Sequence, residues 1–121
     1  MRVHAILAIA VLVIMASGAN ALAVRGPGVQ SCGKWTVDHQ EYNGIAASGD
    51  DIWLMGYITS YNRFAFRGPD IADGLDSAGL TQEVSQYCAA HPLDTIETAA
   101  YRLMIDLIAR DSITNGSPTS R

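Results

Sequence analysis

Two cysteines and three histidines are the residues of this 121-residue chain most able to do chemistry. Cys88 and His91 fall three apart in the stretch QYCAAHPLDT, close enough to face each other across a helical turn. That spacing suits a thiolate nucleophile beside a base, but such a pair also needs a third group to orient the imidazole. Cys32, His39, Cys88 and His91 together could be read as a zinc set. No C-x-x-C or H-x-x-x-H spacing supports that, and no metal site is expected. Asp50 and Asp51 are adjacent, so on a helix they point in different directions; they suit the positive end of a helix dipole better than paired acid–base work. Asp70, Asp73 and Asp76 recur every third residue, whereas a calcium loop needs a spacing of two. There is no phosphate-binding glycine loop and no G-x-S-x-G elbow. The expectation is therefore a protein that is not an enzyme and carries no cofactor.

The N-terminus decides the fate of the thiols. Arg2 precedes an unbroken apolar run over residues 5–16, followed by the small residues Ala19-Asn20-Ala21 and Ala21-Leu22-Ala23. This is the layout of a signal peptide over residues 1–21, with cleavage after Ala21 or Ala23. The run is shorter than the roughly 20 apolar residues of a spanning helix, so no stable membrane anchor is expected after cleavage. An exported chain meets an oxidising compartment, where two cysteines have one intramolecular pairing, Cys32 with Cys88. The bridge closes a loop of 56 positions. Such a loop is worth about 4 kcal/mol in the chain-entropy model, a large share of the roughly 5–10 kcal/mol expected of so small a domain. The expected location is the periplasm, or outside the cell.

Loss of Arg2 with the signal leaves 7 basic against 12 acidic residues, a net charge of −5 with histidine neutral. Such a surface offers no footprint for nucleic acid and is a poor match for an anionic membrane.

The elements that must present these residues are helical. Residues 22–30, with two glycines and a proline, are expected to be a flexible mature N-terminus. Ser31 suits the cap of a first helix through Cys32, Trp35 and His39, ended by NGIAASG from Asn43. A second helix is expected to open on Asp50-Asp51 and run through DDIWLMGYITSYNRFAF. Ile52, Leu54, Met55, Ile58 and Tyr61 supply its apolar face, and Gly56 within it suggests a close helix crossing. A third helix is expected from about Ser77 to Ala90, stopped by His91-Pro92. A fourth opens on Asp94 with Glu97 as a capping-box partner. Its stripe is Ile96, Ala100, Leu103 and Leu107, widened by Ala99, Met104 and Ile108. Residues 111–121 read as a disordered tail. The fold class is thus all-α, a small four-helix domain over residues 31–110 with one disulfide. Trp53, Tyr57, Tyr61 and Phe64 form an aromatic run; such runs are more often core than surface, yet they are the best candidate for a partner interface, since Tyr and Trp dominate hot spots.

The order SCGKW, WLMGY, an acidic loop, QYCAAHP and TIETAA leading an apolar helix resembles small periplasmic helical proteins grouped around the Hde-type acid-stress chaperones (HdeA/HdeB). It is also similar to immunity proteins that neutralise cell-wall amidase effectors of type VI secretion. The resemblance spans Ser31 to about Ile108. It implies a protein partner in either case. An Hde-type protein is a folded homodimer near neutral pH that loosens in acid and exposes apolar surface to unfolding clients, a response the excess of carboxylates permits. An immunity protein would instead present one fixed face to one effector. The preferred expectation is an acid-stress binding protein, with the immunity reading as the alternative.

Overall fold

The structure, a computed structural model, describes residues 23–41 and 44–116. The expected signal segment lies outside the described residues. Four helices make up the domain: α1 (Cys32–Gln40), α2 (Ile45–Phe64), α3 (Ser77–Ala90) and α4 (Ile96–Asn115), preceded by a single 3-10 turn, Gly26–Val29. The only pairing of extended backbone among the described residues is one antiparallel bridge, Ser31 with Thr95. The fold class is all-α, as the apolar periodicity predicts.

Three of the four helices start where a side chain takes up one of the unpaired N–H groups. The Ser31 hydroxyl accepts from the Lys34 amide at 3.2 Å. The carboxylate of Asp76 accepts from the Gly79 amide at 2.8 Å. Thr95, not Asp94, caps α4, taking the Thr98 amide at 3.1 Å. Asp94 is instead drawn to α3, where its carboxylate accepts from the Tyr87 hydroxyl at 2.6 Å. The α2 start also departs from expectation. Gly44, in the left-handed region at φ 54°, opens the helix, and residues 45–49 form its first turns. Asp50 therefore sits in the second turn and is buried. Ala46 and Ala47 are strong helix formers and carry the helix back past the two aspartates.

One knot pins three helices together. The Cys32–Cys88 disulfide joins α1 to α3 with Cα atoms 4.6 Å apart. Beside it, Cys32 N–H donates to the Asp94 carbonyl at 2.7 Å, Gly33 N–H to Pro92 at 2.9 Å, and Ile96 N–H to Gln30 at 2.9 Å. The start of α1 is thereby laid against the turn between α3 and α4. Around this knot lies the core: Trp35 from α1, Leu54 and Ile58 from α2, Leu80 and Val84 from α3, and Ile96, Ala99, Ala100, Leu103, Met104 and Leu107 from α4. The α2–α3 loop adds Ile71 and Ala72. Asn62 and Asp70 fold that loop down: Asn62 Nδ2 donates to Asp70 at 2.7 Å, and the amides of Ile71 and Ala72 donate to Asn62 and Asp70 at 2.9 and 3.0 Å.

The remaining departures have packing causes. Within residues 22–30, expected to be a flexible N-terminus, the turn Gly26–Val29 packs against α2 and α4. Helix α4 continues to Asn115, into the expected tail, with Ser112 and Thr114 hydroxyls bonding carbonyls one turn back; residues 117–121 lie outside the described set. Gly56 is no crossing point, because a Cβ there would meet open space. Ile52 and Ile108, expected in the core, are 73% and 39% exposed.

Candidate protein-interaction face

The four aromatic candidates of α2 do not share one fate. Trp53, Tyr57 and Tyr61 flank the core and are half-buried against it, whereas Phe64 is 83% exposed. Trp53 lies under the N-terminal turn. Its Nε1–H donates to the Arg25 carbonyl at 2.7 Å, and Gly28 presses on the six-membered ring so closely that a Cβ would stand inside it. The Trp53 ring also meets Tyr57, with centroids 5.3 Å apart. The Tyr57 hydroxyl donates to Glu97 of α4 at 3.3 Å. Burial, reinforced by the Glu97 carboxylate, pushes the Tyr57 phenol up to about 12. Tyr61 stacks loosely with Phe66 of the following loop, centroids 6.4 Å apart.

Across from Tyr57, α4 presents an apolar stripe of its own. Tyr101, Ile105 and Ile108 recur at the helical spacing of four and three and are exposed by 53, 40 and 39%. Ile108 also borders an open cleft of about 890 Å³ between the α2–α3 loop and the last turns of α4, lined further by Tyr61, Phe66, Leu75 and Leu107. Tyr57, Glu97 and Tyr101 therefore mark a seam at which aromatic groups of α2 and the apolar stripe of α4 meet. Tyr101 and Ile105 are not evident from the sequence, because periodicity alone does not tell an exposed apolar stripe from the buried one beside it on the same helix.

The residues with catalytic potential are placed otherwise. Both cysteines are in the disulfide, and no free thiol remains. His91 caps α3: its ring stacks on Tyr87 with centroids 4.2 Å apart, and Nδ1 lies 3.0 Å from the Tyr87 carbonyl. His39 stacks on Trp35 at 4.1 Å. Its Nδ1 faces the Trp35 carbonyl at 2.9 Å and its Nε2 the Asp51 carboxylate at 3.0 Å. Acceptors thus face both ring nitrogens, and neither is open toward a nucleophile. The Thr81 hydroxyl donates to Asp51 at 3.0 Å rather than to His39, so threonine, histidine and aspartate do not form a relay. Among the described residues no three His, Cys, Asp or Glu side chains converge as metal ligands would.

Next to this cluster sit two buried carboxyl groups, Asp38 and Asp50. Lys34 holds Asp38, its Nζ 2.6 Å from each carboxylate oxygen. Burial, and then the Asp38 charge, raises the Asp50 carboxyl above its ordinary 3.8. The hydrogen bond to Asp38 raises Lys34 in turn.

The fold and this surface define a small all-α, disulfide-bonded domain. No helix among the described residues is long and apolar enough to cross a membrane. Compared with family models, with curated proteins and with solved structures, the chain matches none.

Proposed function

We propose that this chain is an exported, non-catalytic binding domain that engages a protein partner through the α2–α4 face while folded. The observation that carries the reading is the apolar stripe Tyr101–Ile105–Ile108, exposed on a helix whose opposite side is fully committed to the core. Large apolar side chains gathered on one face of a small domain mark a binding surface more often than scattered ones do. Tyr101 has the rigid, amphipathic character of an interface anchor. Export is supported by the N-terminal pattern and by a disulfide of the kind that persists in oxidising compartments. A ready-made face favours a fixed binder, of which the amidase-neutralising immunity protein is the nearest named type, over a chaperone that must loosen first.

The Hde-type acid-stress reading stands as the second, on the strength of the acidic composition. An acid titration of the oxidised protein separates the two. A fixed binder keeps its compact size and does not suppress aggregation of an acid-labile test protein. A chaperone of the Hde kind expands, binds a hydrophobic dye reversibly and suppresses that aggregation.

A further inference from the structure

We propose that the outer face of α2 pairs with the same face of a second copy of this chain, antiparallel and about a two-fold axis at Leu54. Ile45, Gly49, Ile52, Gly56, Thr59 and Arg63 recur at spacings of four and three along α2, and all six are exposed. That spacing gathers them into one stripe, on the side of the helix away from the core residues Leu54 and Ile58. Ile45 and Ile52 are 82% and 73% exposed. From Ile45 to Thr59 the stripe carries no charge, in a chain whose net charge is −4. The two aspartates of that stretch face elsewhere: Asp50 is buried, and Asp51 meets His39 and Thr81.

Nothing within one copy accounts for the two glycines. Glycine is a poor helix former, and a Cβ at Gly49 or Gly56 would meet open space. Both stretches of backbone are therefore bare toward solvent, each beside an exposed isoleucine. Bare backbone lets a second helix approach closely. The isoleucines supply apolar area for that approach to bury.

The order of residues selects a second copy as the occupant. In an antiparallel pair Ile52 faces the partner's Gly56, Gly49 the partner's Thr59 and Ile45 the partner's Arg63, and each of these pairs is centred on Leu54. The large side chain nearest the axis thus enters the hollow over a glycine, twice by symmetry. Charge agrees at the ends. Glu41 is exposed and stands just before α2, where its carbonyl accepts from the Gly44 amide at 3.3 Å. Arg63 lies in the last turn of α2 and makes no ion pair among the described residues. Antiparallel pairing brings each Arg63 to the Glu41 end of the other copy. A parallel pair would set Arg63 on Arg63 and leave Gly56 facing Gly56. Tyr57 lies about 100° further round the helix than Gly56, so the seam with α4 stays open in the pair.

The test is sedimentation equilibrium of the oxidised protein up to millimolar concentration, with circular dichroism to check that each variant folds. Wild type is expected to form a reversible dimer and nothing larger. Ile52→Asp is expected to weaken the dimer about 30-fold or more, as loss of an interface anchor does. Gly56→Ala has opposite signs in the two states. Its methyl favours the lone helix but fills the hollow, so the dimer weakens while the unfolding midpoint in dilute solution rises. Glu41→Arg and Arg63→Glu each weaken the dimer, and the double variant restores it because the exchanged charges meet again. A wild type that stays monomeric overturns the proposal, as does a dimer that Ile52→Asp leaves intact. A double variant that associates no more tightly than the single ones overturns the antiparallel arrangement. If Ile52→Asp does not fold, wild-type self-association and the charge exchange decide.

Discussion

Gly28 lies flat on the indole of Trp53, with no room for even a methyl group between backbone and ring. The same indole donates to the Arg25 carbonyl. Two contacts thus hold the N-terminal turn over α2, and the backbone of Gln30 then accepts from Ile96 at the head of α4. The turn is a strap joining the two helices that carry the proposed face.

Gly28→Ala is expected to destabilise the domain by about 1–3 kcal/mol, the range for forcing an extra methyl into a packed site. Gly56→Ala should do the opposite. Its Cβ enters open space in the middle of a helix, where alanine is favoured over glycine by about 0.5–1 kcal/mol. Denaturant midpoints of the two variants, measured side by side, check both signs.

Reduction of the Cys32–Cys88 bridge is expected to lower the unfolding free energy by about 4 kcal/mol, from the entropy returned to a 56-position loop. The backbone bonds from Cys32, Gly33 and Ile96 hold the same junction in the folded state and do not depend on the bridge. Equilibrium unfolding with and without reductant measures the difference.

Tyr57 sets the alkaline limit of the α2–α4 seam. Its phenol is raised in the folded state, so its contribution to stability is fully present below its ordinary value of 10 and is lost as pH rises through about 12. In a spectroscopic titration the Tyr57 phenol should ionise late, together with loss of helix, beside a Tyr87 phenol also raised by its bond to Asp94. In Tyr57→Phe that late phenol is absent, and stability at neutral pH falls by about 1 kcal/mol for the lost bond to Glu97.

Much of this architecture is legible in the chain. The apolar spacing of Leu80, Val84 and Cys88, closed by His91-Pro92, marks α3 with its observed bounds. Ser31 marks the start of α1 because its cap is local. What escapes local reading depends on partners distant in sequence. Asp50 and Asp51 look like residues at a helix start, and only the earlier opening of α2 at Ile45 and the burial of its side chain show Asp50 to be internal. The GPGV turn looks flexible until Trp53 is seen beneath it. Asp94 looks like a cap until Tyr87 is found holding its carboxylate. At the candidate face, Trp53, Tyr57 and Tyr61 are evident as an aromatic run, but which of their edges stay open follows from the strap and from Glu97.

Substitutions on the face should separate binding from folding. Tyr101→Asp and Ile105→Asp change exposed positions, and each should leave stability within about 0.5 kcal/mol of wild type. A hot-spot residue nonetheless weakens its complex by about 2 kcal/mol or more, roughly 30-fold in affinity. Thermal unfolding and partner affinity on the same samples check the two halves of this expectation.

The most direct measurement is affinity capture at neutral pH with the oxidised wild-type domain and with Tyr101→Asp, from extracts of the cells that make the protein, followed by quantitation of the bound chains. The account predicts a stoichiometric protein partner retained by wild type and lost by the variant. A partner retained equally by both, or client binding that appears only after acidification, would contradict it.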